Sequence, residues 1–292
     1  MYVNAIEKVD QYTRPIHSIL RTYGGLISPA TATLFFVNDN GVAITCKHVL
    51  QFIAQADNVN KNYIDFKSER DKLPKNGLFH RKLRDLEKKY NYKKDTVVQI
   101  KNNFIGCFDK ITHVQWHQHP QLDLAIIEFK GQAQNLYDAH ATFVNDPNKI
   151  KQGRSLCRLG YPFPEFDNFQ LNAVIDDIEW TQQGNATSPK FPIDGIISRF
   201  GIDNGVLATI ELTTPGLKGQ SGGPLFDSDG LIYGMQFMTS HLHLGFDINS
   251  IDVISGGKKM TVTNHPFLHV GHCVHVDRIK EFLKLHNIPF HE

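Results

Sequence analysis

Gly219-Gln220-Ser221-Gly222-Gly223-Pro224 sets one hydroxyl among glycines in a chain of 292 residues. Glycines let the backbone turn tightly and let a second chain come close to its N–H groups. A serine so placed becomes a nucleophile only with a base to take its proton and amides to hold an oxyanion. Upstream, Thr45-Cys46-Lys47-His48-Val49 puts a histidine directly after a β-rich run. His119-Pro120-Gln121-Leu122-Asp123-Leu124-Ala125-Ile126-Ile127 puts an acid just before an apolar one. Each piece alone is ordinary: a serine in a turn, a histidine at a strand end, an aspartate opening a strand. Together they supply a nucleophile (Ser221), a base (His48) and the acceptor that fixes the base's tautomer (Asp123), in the order His–Asp–Ser. The amides of Gly219 and Ser221 are the candidate oxyanion donors.

Around these pieces the chain reads as all-β. Residues 33–37 and 42–45, separated by Asn38-Asp39-Asn40-Gly41, have the form of a hairpin. Further short runs fall at 97–100, 104–108, 112–116 and 124–129. A second series occupies 155–159, 171–178, 195–199, 206–213, 231–237 and 268–276. Short strands punctuated by Gly, Pro and Asn argue for barrels or sandwiches over a parallel α/β sheet. Residues 5–19 carry a helical pattern interrupted by Pro15, and 277–286 have the spacing of a terminal helix. The stretch 55–95 is polar, with a helical pattern at 78–90; within it, 57–95 hold 12 Lys/Arg against 7 Asp/Glu.

Composition bounds the function. With 41% hydrophobic residues and a formal net charge of +1, the chain can bury a sizeable core and carries no global field toward nucleic acid or an anionic membrane. The first twenty residues lack the apolar core of a signal peptide, and no run reaches spanning length, so no membrane is expected as a partner. Cys46, Cys107, Cys157 and Cys273 show no paired spacing. Sparse cysteines and a start without an export signal set a cytoplasmic expectation.

The set of motifs resembles the trypsin-like peptidases, nearest the catalytic domain of the HtrA/Deg proteases. Leu34-Phe35-Phe36-Val37-Asn38-Asp39-Asn40-Gly41 leading to His48 resembles their strand–turn–strand approach to the catalytic histidine. Gln152-Gly153-Arg154-Ser155-Leu156-Cys157-Arg158-Leu159-Gly160-Tyr161-Pro162, Gly195-Ile196-Ile197-Ser198, Gly219 to Leu225 and Gly230-Leu231-Ile232-Tyr233-Gly234-Met235 continue in the same order, from about Ala32 to Met238. The resemblance implies two six-stranded antiparallel β-barrels, a C-terminal helix and a partly helical insertion in the first barrel. Residues 1–22 form an N-terminal segment in this reading. The first barrel, 23–140, carries His48, Asp123 and the insertion at about 55–95; the second, 141–276, carries Ser221; 277–292 form the helix. The implied activity is serine endopeptidase cleavage of protein or peptide substrates through an acyl-enzyme, with no cofactor.

The departures carry information too. No PDZ-like segment is expected after Met238. Val49 stands where secreted trypsins have a disulfide-bonded cysteine. Gln220 stands where they carry the acid that pairs with a freed N-terminus, so activation by that ion pair is excluded. The resemblance walls the primary pocket with Thr213, Thr214, Pro215, Gln236, Phe237 and Met238. No acid falls there, which disfavours a Lys/Arg preference and sets an expectation of small or apolar side chains; His241 and His243 are candidates to enter the pocket and favour an acid instead.

Two other chemistries are weighed and set aside. His113, His117 and His119, and His269, His272, Cys273 and His275, gather in sequence, but neither offers four convergent ligands, so no metal is expected. The basic excess at 57–95 is interleaved with acids and reads as a solvated surface that could gate or recruit substrate. Two rival functions stand: a conditional peptidase (a defence or signalling effector) silent until an activating protein partner orders the site, and a non-catalytic binding module on the same fold.

Overall fold

The computed structural model describes residues 1–131 and 134–292. A short helix, α1 (Val3–Asp10), buries Ala5 and Val9 and leads into β1 (Thr13–Thr22), β2 (Ile27–Phe36) and β3 (Val42–Thr45). Two helices follow, α2 (Lys47–Asp71) and α3 (Phe79–Lys89), then β4 (Val97–Phe104), β5 (His113–Gln118) and β6 (Ala125–Lys130). These strands form one six-stranded antiparallel sheet in the order β4-β1-β2-β3-β6-β5. The C-terminal half comprises β7 (Ser155–Arg158), the hairpin β8 (Phe169–Asn172) and β9 (Asp177–Trp180), β10 (Ile193–Asp203), β11 (Val206–Leu212), β12 (Pro224–Phe226) and β13 (Ile232–His243). A second hairpin, β14 (Ile248–Ser255) and β15 (Lys258–Asn264), precedes β16 (Phe267–His275) and α4 (Val276–Leu285). Here β10-β11-β16-β13-β12-β7 close into a barrel.

Both six-stranded units expected from sequence are present, but only the second closes; the first is an open half-barrel. Its β4 edge is covered from outside by α2, where Asn60 Nδ2 donates to Ile100 O at 2.8 Å and Asn60 Oδ1 accepts from Ile100 N at 2.9 Å. A side-chain amide thus does what a closing strand would do, satisfying the backbone of an edge. The partly helical insertion is confirmed, although α2 starts at Lys47, ahead of position 55. Its outer face is polar, while Tyr63, Phe66 and Leu86 build a small core of their own with Val98 of β4.

Local readings differ in three places. The helical pattern read at 5–19 is a helix only as far as Asp10; residues 13–22, set apart with the N-terminal segment 1–22, are β1, paired with both β2 and β4. Pro15 ends any helix there, and the register against β2 buries Ile16 and Ile19. Residues 171–178 are not one strand: the chain reverses through 173–176, with Asp176 at φ 52°, to join β8 to β9. Residues 104–108 hold only the end of β4 and an isolated bridge at Phe108. The terminal helix lies where the spacing placed it. Among the described residues no helix is long and apolar enough to cross a membrane, and all four cysteines are unpaired and buried.

Candidate active site

Pairing of Thr45 with Ala125 in the β3–β6 ladder fixes the approach of His48 and Asp123. β3 ends at Thr45, and α2 begins with His48 in its first turn, where helix N–H groups lack intrahelical acceptors. Cys46 at the cap position makes no side-chain capping bond; its Sγ donates to Gln236 O at 3.3 Å instead. Asp123 takes that role from the neighbouring strand: its Oδ1 accepts the His48 amide at 2.9 Å, and its Oδ2 accepts the His48 ring Nδ1–H at 2.6 Å. One carboxylate therefore caps the helix and orients the imidazole on it, leaving Nε2 as the basic nitrogen. Burial pushes the Asp123 carboxyl up, but the bonds from the His48 ring and amide and the Lys47 amide outweigh it, and its pKa falls below the ordinary aspartate value. Lys47 Nζ anchors the loop before Asp123 by donating to His119 O at 2.8 Å and Pro120 O at 3.1 Å.

Ser221 comes from the other half and is registered against the first by Thr33 of β2. The Thr33 amide donates to Ser221 O at 2.9 Å, and Thr33 Oγ1 donates to Gly219 O at 2.7 Å while accepting the Tyr161 amide at 3.2 Å. Two glycines are demanded by this approach. Gly219 sits at φ 92° with Thr31 and Tyr161 against it, and Gly222 sits at φ 89° where a Cβ would strike the Thr33 carbonyl. Gln220 is fully buried; its Oε1 accepts the Leu217 amide at 3.0 Å and its Nε2 donates to Phe191 O at 2.9 Å. The loop is thus tied by a neutral amide. Among the described residues, neither the Gly219 nor the Ser221 amide donates to a backbone carbonyl.

Ser221, His48 and Gly219 line a cleft of about 320 Å³ with apolar walls from β1 and from Phe52 and Ile53 of α2. A second cleft, of about 510 Å³, also has Ser221 and Lys218 in its lining. Of the expected pocket residues, Pro215, Gln236, Phe237 and Met238 line this second cleft; Thr213 and Thr214 do not. Thr214 Oγ1 instead donates to Asp194 O at 2.7 Å, and Thr213 Oγ1 accepts the Ile196 amide at 3.2 Å, so both are spent on β10. His241 enters the cleft, joined by His269 from β16, whereas His243 turns outward to Asp247 at 2.7 Å.

Sequence reasoning missed Thr33 and Arg158. Arg158 is fully buried and donates to Gln236 Oε1 (2.7 Å), Thr214 O (3.0 Å), Thr214 Oγ1 (2.7 Å) and Pro215 O (3.0 Å), holding the cleft wall from behind. Its signal was a charge inside the apolar run Leu156-Cys157-Arg158-Leu159. Three of the histidines weighed as metal ligands make other bonds. His117 pairs with Glu128 at 2.7 Å, His119 Nδ1 accepts the Leu122 amide at 2.9 Å, and His275 Nδ1 accepts the Asp277 amide at 3.2 Å to cap α4.

An open six-stranded sheet facing a closed barrel, with an aspartate-held histidine from one and a glycine-set serine from the other, defines the chymotrypsin-like class of β protein. The family model for the trypsin-like peptidase domain matches residues 32–235, and the chain belongs to that family. No sequence among curated proteins matches it. Among solved structures it is similar to the HtrA-type protease AlgW with a decapeptide, at TM-score 0.51 and 13% identity over 97% of this chain and 66% of that one. It is also similar to AlgW with a tripeptide, at TM-score 0.48 and 13% identity over 97% of this chain. The chain spans 62% of the length of that second structure.

Proposed function

We propose that this peptidase domain is a serine endopeptidase in which His48 acts first as general base and then as general acid, Asp123 orients it, and Ser221 attacks the peptide carbonyl. Ser221 Oγ forms the acyl bond, and its proton passes through His48 Nε2 to the departing amine; water then reverses the sequence to release the acid. The Gly219 and Ser221 amides hold the oxyanion in both steps. The observation that carries this reading is the double grip of Asp123 on His48, at ring and amide, beside the cleft that Ser221 also lines. Protein or peptide chains are the substrate class, since the two clefts meet at Ser221 and offer room on either side of a scissile bond. The neutral tether of Gln220 supports a site that forms without a freed N-terminus. The test is labelling by a fluorophosphonate. Wild type labels and the Ser221→Ala and His48→Ala variants do not; an unlabelled wild type would count against a preassembled site and turn the search to an activating partner.

A further inference from the structure

We propose that the cleft flanked by Lys218, His241 and His269 receives an acidic side chain, so that the bond presented to Ser221 follows glutamate or aspartate. The inference rests on the serine-peptidase reading for the position of the scissile bond.

Its basis is the charge around the 510 Å³ cleft, whose lining includes Lys218, His241 and His269 and no carboxylate. Behind the wall formed by Pro215 and Gln236 lies the Arg158 guanidinium. All of its acceptors there are neutral, and among the described residues no carboxylate lies within ion-pair distance. A guanidinium stays charged in proteins, so burial leaves a fixed positive charge one side chain away from the cleft. His241 and His269 are cross-strand partners on β13 and β16, with Nδ1 atoms 2.5 Å apart. One ring must donate Nδ1–H to the other; the accepting ring, with its Nδ1 lone pair in use, carries its proton on Nε2. The pair therefore keeps an N–H donor even when neutral.

Of the acids nearby, Asp194 acts on the Arg158 charge but lies outside the cleft lining, and two others are already engaged. Asp247, at the outer end of these strands, is held by His243 and His265 at 2.7 Å each, and Glu211 is held by Arg199 at 2.5 Å. Among the described residues neither Lys218 nor Arg158 has a carboxylate partner, while Phe237 and Met238 offer apolar surface to the methylenes of a glutamate. A lysine there would meet like charge, a valine would leave polar donors unpaired, and a glutamine would gain hydrogen bonds without the charge term. The small or apolar preference expected from sequence assumed a pocket without His241 in it.

The test uses the full-length Ser221→Ala protein and four peptides differing only in the residue before the scissile bond: Glu, Gln, Val or Lys. Fluorescence anisotropy should show the Glu peptide binding at least about tenfold tighter than the Gln peptide, with Lys weakest; tenfold corresponds to about 1.4 kcal/mol. Adding Lys218→Ala and His241→Ala, both exposed positions that leave the core intact, should bring the Glu-to-Gln ratio toward one and narrow the gap between the Glu and Val peptides. Equal binding of Glu and Gln, a preference for Val or Lys, or no binding of any peptide overturns the proposal. Because the readout is binding without turnover, the two readings fail separately. A wild type that selects Glu but never cleaves keeps the receptor and loses the peptidase. One that cleaves after any residue alike does the reverse.

Discussion

The two halves of this molecule are built from the same number of strands and hold their shape by different means. The C-terminal barrel closes on itself through backbone hydrogen bonds from β7 round to β10. The N-terminal sheet stays open and borrows the side chain of Asn60 to cover its edge. Ser221, both candidate oxyanion amides and Arg158 belong to the closed half; His48 and Asp123 belong to the open one. The proposed nucleophile thus lies in the loop that leads into β12, while its proposed base stands on a helix tethered by one carboxylate. Many bonds cross between the halves, among them Thr33 to the serine loop, Thr31 Oγ1 to Tyr161 O at 2.5 Å, His17 to Ser188 at 2.9 Å and the ion pair of Arg21 with Asp176 at 2.7 Å.

Removing the closed half's contribution should have the largest effect. Ser221→Ala is expected to lower kcat on a cleavable peptide on the order of 10⁶-fold, with the fold unchanged by circular dichroism. Removing the open half's tether comes next. Asp123→Asn should cost about 10⁴ in kcat, because an amide donor turned toward Nδ1 selects the wrong tautomer. It should also lower stability, since an amide is a weaker cap for α2 than a carboxylate. If Asp123→Asn cut activity less than tenfold, the open half would be supplying His48 without orienting it.

Cutting a bond between the halves gives a smaller loss. Thr33→Val keeps the shape and removes the hydroxyl, leaving Gly219 O and the Tyr161 amide without it. Unpaired buried groups of this kind cost about 1–3 kcal/mol. If that strain falls on the serine loop, kcat/KM should drop roughly 10- to 100-fold. An equal loss of Tm with unchanged kcat/KM would show that Thr33 serves stability alone.

Legibility in the sequence followed the same divide between local and long-range chemistry. His48, Asp123 and Ser221 could be read because each sits in a short string whose turn or strand-end chemistry is local, and their chain order limited the ways to combine them. Pro215, Gln236, Phe237 and Met238 were placed in the pocket by resemblance, whereas Thr213 and Thr214 fell outside it because both hydroxyls bond to the backbone of β10. Thr33 and Arg158 gave little warning, since their partners lie 186 and 78 residues away. The helical pattern at 5–19 holds as far as Asp10, but β1 beyond it was not read as a strand, because only pairing on both sides makes it one. The β14–β15 hairpin, by contrast, was readable and overlooked: Gly256-Gly257, at φ 56° and 76°, joins two β-rich runs.

A buried bond between the halves should respond to pH. His17 of β1 is fully buried, stacked on Phe166 at 4.0 Å, and its Nε2 meets the Ser188 hydroxyl. Burial pulls its pKa from the ordinary 6.5 to about 4. The folded chain therefore keeps this ring neutral where the unfolded chain protonates it. A base whose folded pKa is depressed contributes stability above its unfolded pKa and loses it as pH falls from about 6.5 toward 4. At pH 5 the loss should be about 2 kcal/mol. His17→Gln cannot take up the proton: it should be less stable than wild type in urea at pH 7.5, yet lose less of its remaining stability on going to pH 5. The two proteins' midpoints should then converge. Parallel midpoints across that range would mean that the ring already carries its proton in the fold, and that the open half is joined to the barrel by a charged group instead of a buried neutral one.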